Sequence, residues 1–146
     1  MAVLIDNRQN RHSVPLKKLK QKAQAILNAL DCPEGELSIL VVDDPGIESL
    51  NREYLGRPGP TNVIAFPMRE GEFAAITPDL LGDVVISADT AYSEGGSTEK
   101  GFRLRFTELL VHGILHLFGY DHEGDLMEAR RMDEKSTELM MRVGSL

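Results

Sequence analysis

Three of the four histidines in this 146-residue chain fall between residues 112 and 122, inside the stretch VHGILHLFGYDH. His112 and His116 are four apart, the spacing that places two side chains on one face of a helix. Gly119 then lets the chain turn, and His122 can return to the same point. Three imidazoles brought together form the ligand set of a catalytic zinc, which keeps its fourth position for water, whereas a structural zinc is usually closed by a fourth protein ligand, most often Cys. The single cysteine, Cys32, lies 80 positions from His112, so sequence gives it no claim on such a site. The competing explanation is three core histidines satisfied by hydrogen bonds. It asks an apolar helix to supply partners for each ring, at about 2 kcal/mol or more for every buried polar group left without one. The spacing therefore predicts one zinc ion per chain, held by His112, His116 and His122.

The frame H-x-x-x-H-x-x-G-x-x-H also matches the metzincin peptidases, which carry a Glu after the first His as general base. Here that position is Gly113, which cannot take a proton, so the peptidase reading keeps its metal cage and loses its base. A glycine inside a helix costs about 1 kcal/mol relative to Ala. Something must use its small size, either close packing or substrate access, and packing is the safer expectation. The nearest acids are Glu108 and Asp121. Asp121 has two readings, a partner for a ligand imidazole or a turn-former.

The elements that must position these residues follow from periodicity and breakers. AVLID reads as a first strand. Ser13 and Val14-Pro15 open a helix with proline in its first turn, continued by Leu16, Leu19, Ala23, Ile26, Leu27 and Leu30 at helical spacing. ELSILVVDD is a second strand, and Asp44-Pro45 is a cap-plus-proline start for a short helix with Ile47, Leu50 and Tyr54. GRPGP is a turn, TNVIAFP a third strand closed by Pro67, and residues 68 to 79 a loop or loose hairpin. LLGDVVIS is a fourth strand whose Gly82 marks a bulge or a close approach. A short helix over ADTAYSE stops at Gly95-Gly96. Thr98 caps the next, which runs to about Phe118 and is apolar almost all round in its second half, as expected of a helix in the middle of a domain. A last helix spans about Asp125 to Val143. The expectation is one α+β domain over residues 1–146: a mixed sheet of about four strands packed with helices around a central metal-bearing helix.

Composition limits the function classes. The hydrophobic fraction is 42% and the charged fraction 27%, ordinary for a globular protein. There is no tryptophan and little aromatic surface, which argues against an exposed stacking platform for bases. A formal net charge of −7 argues against a protein that grips nucleic acid by a global positive field. The charge is uneven, however. Residues 1 to 35 carry six Lys/Arg against three acids, and residues 121 to 140 seven acids against three bases. The basic cluster reads as a solvated helix face or as a phosphate-contacting patch. Cys32 reads as a structural cysteine in a reducing compartment. MAVLIDNRQNRH lacks the features of a signal peptide, and no stretch approaches a membrane span, so the expected location is the cytoplasm, with no membrane partner.

The segment HGILHLFGYDH resembles the H-G-x-L-H-L-x-G-Y-D-H signature of the YbeY family, bacterial endoribonucleases also called rRNA maturation factors. LNREYLGRPGPTNVIAFP, residues 50 to 67, resembles the family segment L-N-x-x-Y-R-G-x-x-x-P-T-[DN]-V-L-S-F-P, and LLGDVVIS, residues 80 to 87, its L-G-D-[IV]-x-[IV] strand. The resemblance covers about two thirds of the chain. It implies a zinc-dependent, single-strand-specific endoribonuclease acting in 16S rRNA 3′-end maturation and ribosome quality control, with His112, His116 and His122 as metal ligands. The implied partners are single-stranded ribosomal RNA and components of the small ribosomal subunit, with no DNA expected. Such a partner would present the strand to a protein too acidic to hold free RNA strongly.

Two positions depart from the pattern. The arginine of Y-R-G, which the resemblance makes a phosphate contact or aid to cleavage, is Leu55, and the serine of S-F-P is Ala65. Arg57, two residues on and the only basic residue of YLGRPGPTNV, is the candidate to take over the missing cation's catalytic role. Zinc can activate a bound water or polarise a phosphoryl oxygen, and RNA also brings its own 2′-OH, so both nucleophiles stay open. Two other readings stand beside the nuclease. One is a metal-dependent hydrolase of another bond, for which Gly113 supplies no base. The other is a non-catalytic ribosome-assembly factor with a structural zinc, which Leu55 favours.

Overall fold

Three parallel strands and one antiparallel strand form the sheet on which the histidine helix rests. The computed structural model describes residues 3–68 and 79–146. In chain order the elements are β1 (Val3–Asn7), α1 (Leu16–Ala29), β2 (Glu36–Val42), α2 (Asp44–Leu55), β3 (Val63–Pro67), β4 (Leu80–Ser87), α3 (Ala88–Glu94), α4 (Glu99–Leu117) and α5 (Leu126–Val143). The sheet order is β1-β2-β4-β3. β1 and β4 flank β2 in parallel, and β3 runs antiparallel to β4 along the other edge. The expected α+β class, the four strands and the mixed sheet are therefore observed. The loop read at 68 to 79 falls almost wholly on residues 69–78, outside the described residues.

The sheet alternates its apolar residues between two unequal cores, as the two-residue period of a strand requires. Leu37, Ile39 and Val41 of β2 and Val84 and Ile86 of β4 join the larger core with α1, α3, α4 and α5. Val42, Ile64 and Val85 face the other way, with Ile47 of α2 and the flanking Leu40, Leu50 and Phe66. Helix α4 is the most buried helix: ten of its nineteen residues are buried, Leu109, Leu110, Ile114 and Leu117 among them. That is why its sequence shows no clean polar face.

Caps fix most boundaries as expected. The side chains of Thr98 and Asp125 accept the backbone N–H of Gly101 and Glu128 at the starts of α4 and α5. Two starts differ. Asp43, not Asp44, caps α2 by accepting the Gly46 N–H at 2.9 Å, so β2 ends at Val42. The Asp44 carboxylate is engaged instead by the hydroxyls of Ser87 and Thr90, each at 2.6 Å. Pro15 precedes the first turn of α1 and does not sit within it; its extended backbone aims its carbonyl at the Leu19 N–H, 2.9 Å away. Gly82 meets both expectations made of it. The register shifts between Glu36 and Leu37 opposite it. A Cβ on its backbone, held at φ +134°, would collide with the Phe66 carbonyl of β3.

Candidate metal centre and its groove

Helix α4 presents His112 and His116 one turn apart, with ring centroids 4.5 Å apart and planes at 76°. Their Nε2 atoms lie 3.0 Å from each other. The helix ends at Leu117, one residue after His116. Gly119, at φ +92°, donates its N–H to the His116 carbonyl while Tyr120 donates to Leu115, the paired bonds that close a helix through a left-handed residue. The loop this launches returns His122 to the helix. Its ring stacks on His112, with centroids 5.0 Å apart and an interplanar angle of 27°. The His122 Nε2, however, is turned to Asp133 Oδ1 of α5, 2.8 Å away. Two ring nitrogens thus face each other and the third is engaged beside them. Among the described residues no three His, Cys, Asp or Glu side chains are placed, as they stand, to hold a metal ion.

Electrostatics favours neutral rings. Burial pulls the His112 pKa down to about 4, reinforced by His116, His122 and Arg105 and opposed by Asp133. His116 is lowered as well, by burial first, against the raising effect of Asp121. Neutral imidazoles keep a lone pair free, the form a metal requires. The chemistry of this donor set therefore suits a zinc ion.

Gly113 owes its identity to packing. A Cβ there would stand 2.6 Å from Val84 Cγ1 and 3.2 Å from Val63 Cγ2, so α4 lies against β3 and β4 closely enough to exclude a side chain. Neither nearest acid pairs with a histidine. Asp121 accepts the Glu123 N–H at 2.8 Å and shapes the loop, and Glu108 pairs with Arg105 at 3.2 Å. The described carboxylate that does meet a histidine of this cluster is Asp133, which sequence reasoning missed. Its position depends on how α5 packs against α4, and no local spacing encodes that.

A groove of about 580 Å³ opens over the three histidines, walled by Val63 and Ala65 of β3 and by Leu55 and Arg57. Arg57 reaches this wall because Gly56, at φ +65°, ends α2 in a left-handed turn. The Arg57 N–H then bonds to the Asn51 carbonyl at 3.2 Å. The buried Asn51 side chain ties the turn down by donating to Gly59 O at 3.0 Å. Among the described residues no carboxylate lies within ion-pair distance of the Arg57 guanidinium. No described helix is long and apolar enough to cross a membrane.

Comparison with known proteins gives consistent matches. The family described as Endoribonuclease YbeY matches residues 4–144. A protein of that name from Geobacter metallireducens is 51% identical over 140 residues, 95% of this chain and 93% of its own. Another from Syntrophotalea carbinolica is 49% identical over 140 residues, with the same coverage of both chains. Among solved structures, the solution structure of a Thermotoga maritima protein matches with a TM-score of 0.67 at 26% identity, covering 97% of this chain and 88% of that one.

Proposed function

This chain belongs to the endoribonuclease YbeY family, and from that premise we propose that it is a zinc-dependent endoribonuclease. Its substrate in this reading is single-stranded RNA, specifically the 3′ region of 16S ribosomal RNA, and its wider role is ribosome maturation and quality control beside small-subunit components. The observation that carries the reading is the pair of neutral imidazoles, His112 and His116, meeting Nε2 to Nε2 at 3.0 Å on the floor of a groove.

In this reading His112, His116 and His122 hold the ion, the last by exchanging its contact with Asp133. A bound zinc supplies a water of lowered pKa or a Lewis acid for a phosphoryl oxygen. The protein's own part is positioning. The Schellman turn at Gly119 sets the third histidine, and the β3 edge and the Gly56–Gly59 turn wall the groove in which a strand would lie. Arg57, on that wall and free of any described carboxylate, is the cation available to developing phosphoryl charge. The neighbouring alternatives are less well supported. Gly113 is packed against Val84, so no carboxylate stands where a peptidase would need its base. A structural zinc is usually closed by a fourth protein ligand, whereas the groove over these histidines is open. The test is cleavage of a defined single-stranded RNA by zinc-loaded protein against the same protein in chelator.

A further inference from the structure

Two cationic helix faces meet on the flank of α4 away from the histidines. Helix α1 turns Lys18 and Lys22 to one side, one turn apart, and α4 places Lys100 and Arg103 beside them. The four line a groove of about 520 Å³ with no Asp or Glu side chain among its described lining residues. Lys18, Lys100 and Arg103 are exposed, whereas Lys22 is half-buried and donates to Thr107 Oγ1 at 2.8 Å. That hydroxyl donates its own hydrogen bond to the Arg103 carbonyl at 2.9 Å, so Lys22 is held by a neutral group. Its pKa is pulled down, by burial first and then by Lys18 and Arg103. The carboxylate that reaches the cluster from outside is Glu99, 3.4 Å from Arg103 in a largely exposed pair, a kind that contributes little.

A chain of net charge −7 thus gathers four mutually repelling cations in one concavity. The field they create would be relieved by a bound polyanion. The place is also suggestive. A cleft lined by His112 and His122 shares Leu104 and Gly144 with this groove, so the two depressions adjoin. Arg103 and His112 are nine residues apart on one helix, about 14 Å along its axis but half a turn round it, so a strand passes from one to the other through the adjoining cleft, a path within reach of a single-strand track of up to about 16 nucleotides.

We infer that the groove between α1 and α4 is a second RNA-contact surface, which holds backbone phosphates of the strand beyond the bond to be cut. The partner rests on the nuclease reading above, but binding can be measured without turnover. The concavity and its continuity with the histidine cleft favour an RNA strand over a lipid surface.

The experiment compares the zinc-loaded full chain with its Lys18→Gln/Lys100→Gln/Arg103→Gln variant, using fluorescence anisotropy of labelled 2′-O-methyl oligoribonucleotides. The probes are about 4 and about 16 nucleotides long, bracketing the footprint of a single-strand track. The variant should bind the longer probe at least about tenfold more weakly, and its slope of log K against log salt should fall by about 2, roughly 0.7 for each lost phosphate contact. Binding of the short probe and kcat on a short substrate should stay unchanged, while KM on a long substrate rises. Equal affinity and equal salt slope for the longer probe, with the variant folded by circular dichroism, would overturn the inference. So would loss of binding to vesicles of anionic phospholipid with RNA binding intact, which would assign the groove to a membrane surface. If the triple variant melts early, Lys18→Gln alone must still lower the slope by about 0.7, and an unchanged slope rejects the groove. A parent that binds the long probe through these residues but cuts no RNA leaves the groove standing and removes the cleavage reading.

Discussion

The Nε2 atoms of His112 and His116 lie 3.0 Å apart, one helical turn from each other, with burial holding both rings neutral. Two neutral imidazoles so placed either share an N–H···N hydrogen bond or turn both lone pairs to one cation. His112→Ala and His116→Ala should each reduce bound zinc from about one ion per chain to near zero. The loss in affinity should exceed the 10–100-fold typical of removing an outer-sphere partner. Elemental analysis after dialysis against a weak chelator reads this directly, and zinc retained at parental stoichiometry by either variant would exclude that histidine as a ligand.

Gly113 faces Val84 and Val63 with no space for a side chain. Gly113→Val should destabilise the fold by about 2 kcal/mol through overpacking, a fall of roughly 4–8 °C in Tm for a chain of this size. Thermal melts in chelator separate this packing effect from metal loss. An unchanged or higher Tm would mean that α4 can shift from the sheet at no cost.

Asp89 is the site of a pH effect distant from the histidines. Its carboxylate accepts the Asp44 N–H at 2.9 Å and lies 3.1 Å from His12 Nε2 and 3.4 Å from Arg11 Nη1. Burial pushes its pKa up, but the Asp44 N–H, His12 and Arg11 outweigh that and hold it below the usual carboxylate value. A carboxylate whose folded pKa lies below its unfolded value of about 3.9 adds stability above that pH and loses it as pH falls through the folded pKa. Asp89→Asn should therefore cost about 1–3 kcal/mol at pH 7, with the gap between variant and parent closing below about pH 4. Urea titrations at several pH values measure the gap, and a difference that stays constant into strong acid would show that the charge is not what Asp89 contributes.

Much of this was legible in the sequence because it is local. The i, i+4 histidines, the glycine that ends their helix, the cap at Thr98, the start of the last helix near Asp125 and the apolar surround of α4 are all short-range patterns. The errors were one-residue competitions. Asp43 and Asp44 offer equivalent side chains, and only the hydroxyls of Ser87 and Thr90, far along the chain, decide which one caps α2. The long-range facts were not readable. Asp133 meets His122 because α5 packs on α4, β4 slots between β2 and β3, and the lysines of α1 find Lys100 and Arg103 across a helix interface. Each depends on tertiary packing that no spacing encodes.

Arg57 lines the same groove as the histidines, two residues from Leu55. Arg57→Ala should leave zinc content and Tm unchanged, since the side chain is exposed and has no described ion-pair partner. It should lower kcat on single-stranded RNA by on the order of 10²-fold, the scale of removing one preorganised donor from developing charge. Parental cleavage by this variant would make Arg57 a surface residue and leave Leu55 without a substitute.

A histidine cluster that cuts RNA with a bound metal should lose cleavage with either the metal or a ligand. The most direct measurement is single-turnover cleavage of one end-labelled, single-stranded RNA carrying a 16S 3′-terminal sequence, by three preparations. These are the zinc-reconstituted parent, the same protein held in chelator, and zinc-treated His116→Ala. Defined internal cleavage is expected from the first, none from the second with recovery on adding zinc back, and none from the third. Cleavage at the parental rate by the chelated protein or by His116→Ala would contradict metal-dependent cleavage at this cluster.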